Sequence, residues 1–65
     1  MKGYSSREVI RILKNDGWYE VRIEGSHHHF RHQTKKGTVT VPHPNKDLPQ
    51  KTLKNIFAQA GIKEY

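Results

Sequence analysis

No cysteine occurs among the 65 residues, which excludes a disulfide staple and any thiolate metal site. Apolar residues are sparse, at 32%, and no run of them is long enough to span a bilayer. The opening stretch MKGYSSREV lacks the apolar segment of a secretory signal, so the expectation is a cytoplasmic protein without membrane attachment. So few apolar residues support one small domain over residues 1–65 and leave no room for a second core. Acidic residues are scarce too. Six of them face twelve lysines and arginines, a net charge of +6. On so small a body this charge favours an anionic partner, nucleic acid first and an acidic protein second.

Helical signals open and close the chain. In SSREVIRILKNDG, Ser5 and Glu8 stand at capping-box spacing. Val9, Ile10 and Leu13 then recur at helical intervals with Ile12 beside them, and Gly17 supplies a left-handed stop. Near the C-terminus, Pro49 suits the start of a helix whose inward residues are Leu53, Ile56, Phe57 and Ala60. Gly61 caps that helix, with Ile62 folding back onto it.

Between them the period changes to two. WYEVRIE alternates, which predicts Tyr19, Val21 and Ile23 on a buried face and Trp18, Glu20, Arg22 and Glu24 on the other. Gly25-Ser26 suits a tight turn with glycine first. HHHFRH is then the returning strand, TKKG a second turn, and TVTVP a third strand ending at Pro42. The expected fold is α+β in the order α-β-β-β-α: a three-stranded antiparallel sheet with two helices packed on one face and the opposite face in water.

The turn sets a register and sorts the histidines. Glu24 lies opposite His27, Ile23 opposite His28, Arg22 opposite His29 and Val21 opposite Phe30, and opposed residues share a face. His28 then joins Val21, Ile23 and Phe30 towards the core. His27 and His29 project from the open face beside Glu24 and Arg22. His27 and His29, with Glu24 or His43, are also plausible metal ligands, but Arg22 and Arg31 flank the same place and no spacing is diagnostic. The expectation is no metal and no cofactor.

The stretches LKNDGW, GSHHHFRH, KKGTVTVPHP, KDLP and TLKNIFAQAGI, taken in this order, resemble the HicA toxins. These are small messenger-RNA-cleaving partners of bacterial toxin–antitoxin pairs with the fold of the double-stranded-RNA-binding domain. The resemblance implies a metal-independent endoribonuclease with its essential histidine in the G-S-H motif, which maps onto Gly25, Ser26 and His27. A register error of one residue would move that role to His28. It also implies a HicB-type antitoxin covering the active face. The toxin alone is expected to be monomeric.

Metal-free RNA cleavage sends the substrate's own 2′-hydroxyl against the neighbouring phosphate. It needs a proton acceptor, a proton for the leaving oxygen, and positive charge around phosphorus. His27 is the expected proton-transfer group, with Glu24 able to orient it and Ser26 serving the turn. Arg22, Arg31, Lys35 and Lys36 are candidates to hold the phosphate; Lys46, Lys51 and Lys54 could track the RNA backbone. His43, between two prolines, is read as a loop fixture. Trp18 is either a base-stacking surface on the open face or a plug between the first helix and the sheet. The rival function is an RNA-binding module that cuts nothing, which charge and fold allow equally.

Overall fold

The computed structural model describes residues 2–63. Helix α1 spans Ser6–Asn15, strands β1, β2 and β3 span Tyr19–Glu24, His27–Arg31 and Val39–Pro42, and helix α2 spans Gln50–Ala60. The strands form an antiparallel sheet in the order β1-β2-β3, so the architecture is the expected α-β-β-β-α.

Helix α1 is capped by side chains at its start and α2 by a left-handed glycine at its end, while Pro49 ahead of α2 makes no side-chain cap. The Ser5 hydroxyl accepts from the Glu8 amide, and the Glu8 carboxylate accepts from the Ser5 amide at 2.9 Å. That second bond holds the Glu8 carboxyl below its usual value. Helix α2 ends at Gly61, left-handed with φ 67°, and the Ile62 amide reaches back to the Phe57 carbonyl at 3.0 Å. Gly17, at φ 102°, turns the chain out of α1; a side chain there would also strike the His32 ring, whose Nε2 would lie 2.8 Å from the added carbon.

Val9 and Leu13 of α1 and Leu53, Ile56, Phe57 and Ala60 of α2 are buried against Phe30, Val39 and Val41 of the sheet. Each large side chain contributes on the order of 1.5–3 kcal/mol relative to exposure. Two further core residues carry no periodic signal. Tyr4 stands edge-on to Phe57, ring centroids 5.7 Å apart, and Leu48 donates its amide to the Tyr4 carbonyl at 3.0 Å. The molecule is 17 Å across its shortest axis, the thickness of one sheet under one helical layer.

Strand β1 departs from the expectation. Glu24↔His27, Ile23↔His28 and Arg22↔His29 pair as the turn requires, but a β-bulge between Glu20 and Arg22 puts Glu20, not Val21, opposite Phe30. One inserted residue reverses the faces upstream of it. Glu20 therefore points to the helical side, and Tyr19, opposite Arg31, to the open side. Nor do Tyr19, Val21 and Ile23 bury: they are 48%, 46% and 55% exposed. The helices pack over β3, leaving edge strand β1 uncovered. Trp18 is only 2% exposed and plugs the joint between α1 and the sheet; its indole N–H donates to Asp16 at 3.2 Å.

Candidate active site

Gly25 has φ 60° and Ser26 a negative φ, the glycine-first turn that matches the twist of its flanking strands. It delivers His27 as the first residue of β2, exposed on the open face between Glu24 of β1 and Pro42 of β3. Among the described residues none hydrogen-bonds to the His27 ring. Its ring neighbour is His29, centroid to centroid 6.5 Å.

His29 is held from two sides. Its Nδ1 lies 2.9 Å from the Thr40 hydroxyl. Its Nε2 lies 3.0 Å from Glu24 Oε1, yet the two are poorly aligned, so this buried nitrogen has no hydrogen bond. A hydrogen bond weakens steeply off its axis, so the contact is one of charge and proximity only. The other Glu24 oxygen is 3.4 Å from Arg22 Nε. Glu24, expected to orient His27, thus turns to His29 and Arg22 instead.

His28 has different surroundings. On the helical side of the sheet its side chain is 16% exposed and its Nδ1 lies 2.6 Å from the Glu20 carboxylate. The His43 ring meets it edge-on at 4.9 Å. His43 in turn places Nδ1 2.6 Å from the Ser6 hydroxyl and donates its amide to the Ser26 carbonyl at 2.7 Å. This line of Glu20, His28, His43 and Ser6 ties the sheet, the β3–α2 connection and the start of α1 together. His43 is a fixture, on the side away from His27. Glu20 as a partner of His28 depends on the bulge, which no sequence pattern announces; Ser6 was hidden behind the more obvious cap at Ser5.

The cations divide. Arg22 and Arg31 are exposed beside His27 and His29 on the open face. Lys35 is engaged elsewhere: its ammonium contacts Asp16 at 2.6 Å and the carbonyl oxygen of Ala60 at 3.0 Å, pinning the β2–β3 loop to the ends of both helices. That ammonium holds the Asp16 carboxyl below its usual value, aided by the Trp18 indole. His32 completes the joint, 2.7 Å from the Asp16 carbonyl and accepting the Thr34 and Lys35 amides on Nδ1. Lys36 is exposed in the same loop. Lys46, Lys51 and Lys54 are exposed in the connection to α2 and on α2 itself, in the helical layer rather than among the open-face side chains.

Among the described residues no group of three histidine, cysteine, aspartate or glutamate side chains is arranged to hold a metal ion, and no helix is long and apolar enough to cross a membrane. Among the described residues, what the open face offers chemically is the imidazoles of His27 and His29, the guanidinium groups of Arg22 and Arg31, and the Glu24 carboxylate. None of the curated proteins compared with the chain matches it. A family model described as the HicA toxin of bacterial toxin–antitoxin matches residues 6–62. With that match spanning both helices and all three strands, the chain belongs to the HicA toxin family.

Proposed function

We propose that this toxin is a metal-independent endoribonuclease that cleaves messenger RNA and thereby stops translation, with His27 as its catalytic group. The observation that carries the reading is an exposed imidazole, bonded to no described neighbour, at the start of a strand on a basic open sheet face. A ring with no competing hydrogen bond can meet a substrate hydroxyl, and proton transfer by such a group is worth about 10²- to 10⁴-fold. Arg22, opposite His29, and Arg31, two residues beyond that histidine on the same face, are suited to meet the phosphate with positive charge. Gly25 and Ser26 support the ring through the turn. Lys36, Lys46 and Lys51 are suited to longer-range attraction of RNA, whereas Lys35 is better suited to holding the fold. His28 is the weaker candidate because its ring is committed to Glu20 and packed on His43.

Membership in a toxin–antitoxin family implies an antitoxin partner. We take it to be a HicB-type protein that covers the open face in the cytoplasm, and the toxin alone to be a monomer. The reading is tested by incubating the purified chain with messenger RNA in excess chelator and analysing the ends. Fragments ending in 2′,3′-cyclic phosphate and 5′-hydroxyl support it. RNA that is bound but left whole, with and without added metal, replaces it with the non-catalytic binding module.

A further inference from the structure

Cleavage by the 2′-hydroxyl needs two proton transfers, one from the attacking oxygen and one to the leaving oxygen. A single histidine supplies only one of them at a time. The open face carries a second imidazole, His29, two residues along β2 from His27 and 6.5 Å from it between ring centroids. In-line displacement puts the attacking and leaving oxygens on opposite sides of phosphorus. Two groups each within roughly 3 Å of one of these oxygens must therefore stand several ångströms apart, as these do.

The surroundings of His29 are those of a positioned group. Thr40 fixes its Nδ1 at 2.9 Å, which aims the opposite nitrogen. That nitrogen, Nε2, is buried and has no hydrogen bond, a cost a fold does not carry without compensation. Beside it lies the Glu24 carboxylate, 3.0 Å away but off line, with its other oxygen 3.4 Å from Arg22. An imidazole and a guanidinium that share one anion loosely form a pair suited to a phosphate group. The Glu24 side chain is 60% exposed and can rotate into solvent.

Resting on the ribonuclease reading, we infer that His29 is a second catalytic residue of the same site, and that Glu24 holds the place of the scissile phosphate in the free protein. In the step, the 2′-oxygen forms a bond to phosphorus as its proton passes to the His27 imidazole. The bond from phosphorus to the 5′-oxygen breaks, and that oxygen takes the Nε2 proton of His29, which enters as the imidazolium. The products are a 2′,3′-cyclic phosphate and a 5′-hydroxyl. His27 leaves protonated and His29 neutral, so protons and charge balance without a metal or co-reactant.

The test compares one RNA oligonucleotide with the same oligonucleotide carrying sulfur in place of the 5′-bridging oxygen at the mapped cleavage site. A thiolate leaves without needing a proton, so loss of the acid is forgiven on the sulfur substrate alone. The wild type, His29→Ala, His29→Gln (which keeps a polar group for Thr40) and His27→Ala are measured in excess chelator, with thermal melting as the folding control. Both His29 variants are expected to lose roughly 10²- to 10³-fold on the oxygen substrate and to fall within about three-fold of wild type on the sulfur substrate, while His27→Ala is slow on both. Equal losses of the His29 variants on the two substrates, or no loss on either, overturn the role of His29 and leave the ribonuclease reading standing. A wild type that cuts neither substrate overturns both.

Discussion

Residues adjacent in GSHHHF have little in common beyond their type. His27 stands in solvent, His28 is bonded to Glu20 and packed on His43, and His29 is wedged between Thr40 and Glu24. Truncating each should therefore fail differently. His28→Ala removes the ring that joins Glu20 to His43, so its loss should appear as a lower melting temperature, with cleavage retained by the folded fraction. Glu24→Gln removes a carboxylate that lies among the open-face cations and imidazoles; RNA is expected to bind several-fold more tightly at low salt, measured by fluorescence anisotropy. Phe30→Ala opens a cavity under the sheet at a fully buried position and should cost about 3–5 kcal/mol in a denaturant titration, most of the stability of a domain this small. Which histidine faces which way was legible beforehand, because Gly25-Ser26 fixes the register near the turn. Partners such as Glu20 and Thr40 were not, since they depend on side-chain placement several residues from the turn.

Strand β1 marks the limit of pattern reading among the elements. Helix α1 follows from its capping box and period, α2 from its period and the Gly61 stop, and all four inward positions expected for α2 are buried. In β1 the period of two is plain in the letters, yet one bulged residue turns Glu20 towards the helices and Tyr19 away from them. Alternation states that a strand has two faces, and the helices decide which is covered. Tyr4 and Leu48 were missed for a related reason: each is a lone apolar residue in an irregular segment, recruited by the space beside Phe57 and the helix starts. The joint between elements at Asp16 and Lys35 makes a separate prediction. Lys35→Met should lower stability by about 1–2 kcal/mol at neutral pH, through loss of the ion pair and of its bond to the α2 carbonyl. Because the Asp16 carboxyl is held below its ordinary 3.8, its share of this stability is full above that pH and is lost as pH falls through the depressed value. The gap between wild type and variant, followed by denaturation across the acid range, should narrow below pH 3.8.

Across the whole molecule, twelve cations against six acids would draw a polyanion such as RNA from a distance, while among the described strand residues Arg22 and Arg31 are the cations on the face of His27. Binding should weaken steeply with salt. Replacing Arg31 by Gln should reduce the slope of log affinity against log salt by roughly 0.7, one phosphate contact on a single strand. If the antitoxin covers this same basic face, as proposed, binding of antitoxin and of RNA should be mutually exclusive. His27 is proposed to perform the chemistry from the open face. This role is tested most directly by messenger-RNA cleavage in excess chelator by the wild type, His27→Ala and His28→Ala, each checked for folding. The wild type is expected to cut, folded His28→Ala to cut still, and folded His27→Ala to be slower by about 10²-fold or more. Cleavage that survives loss of His27 and disappears only with loss of His28 would contradict this role.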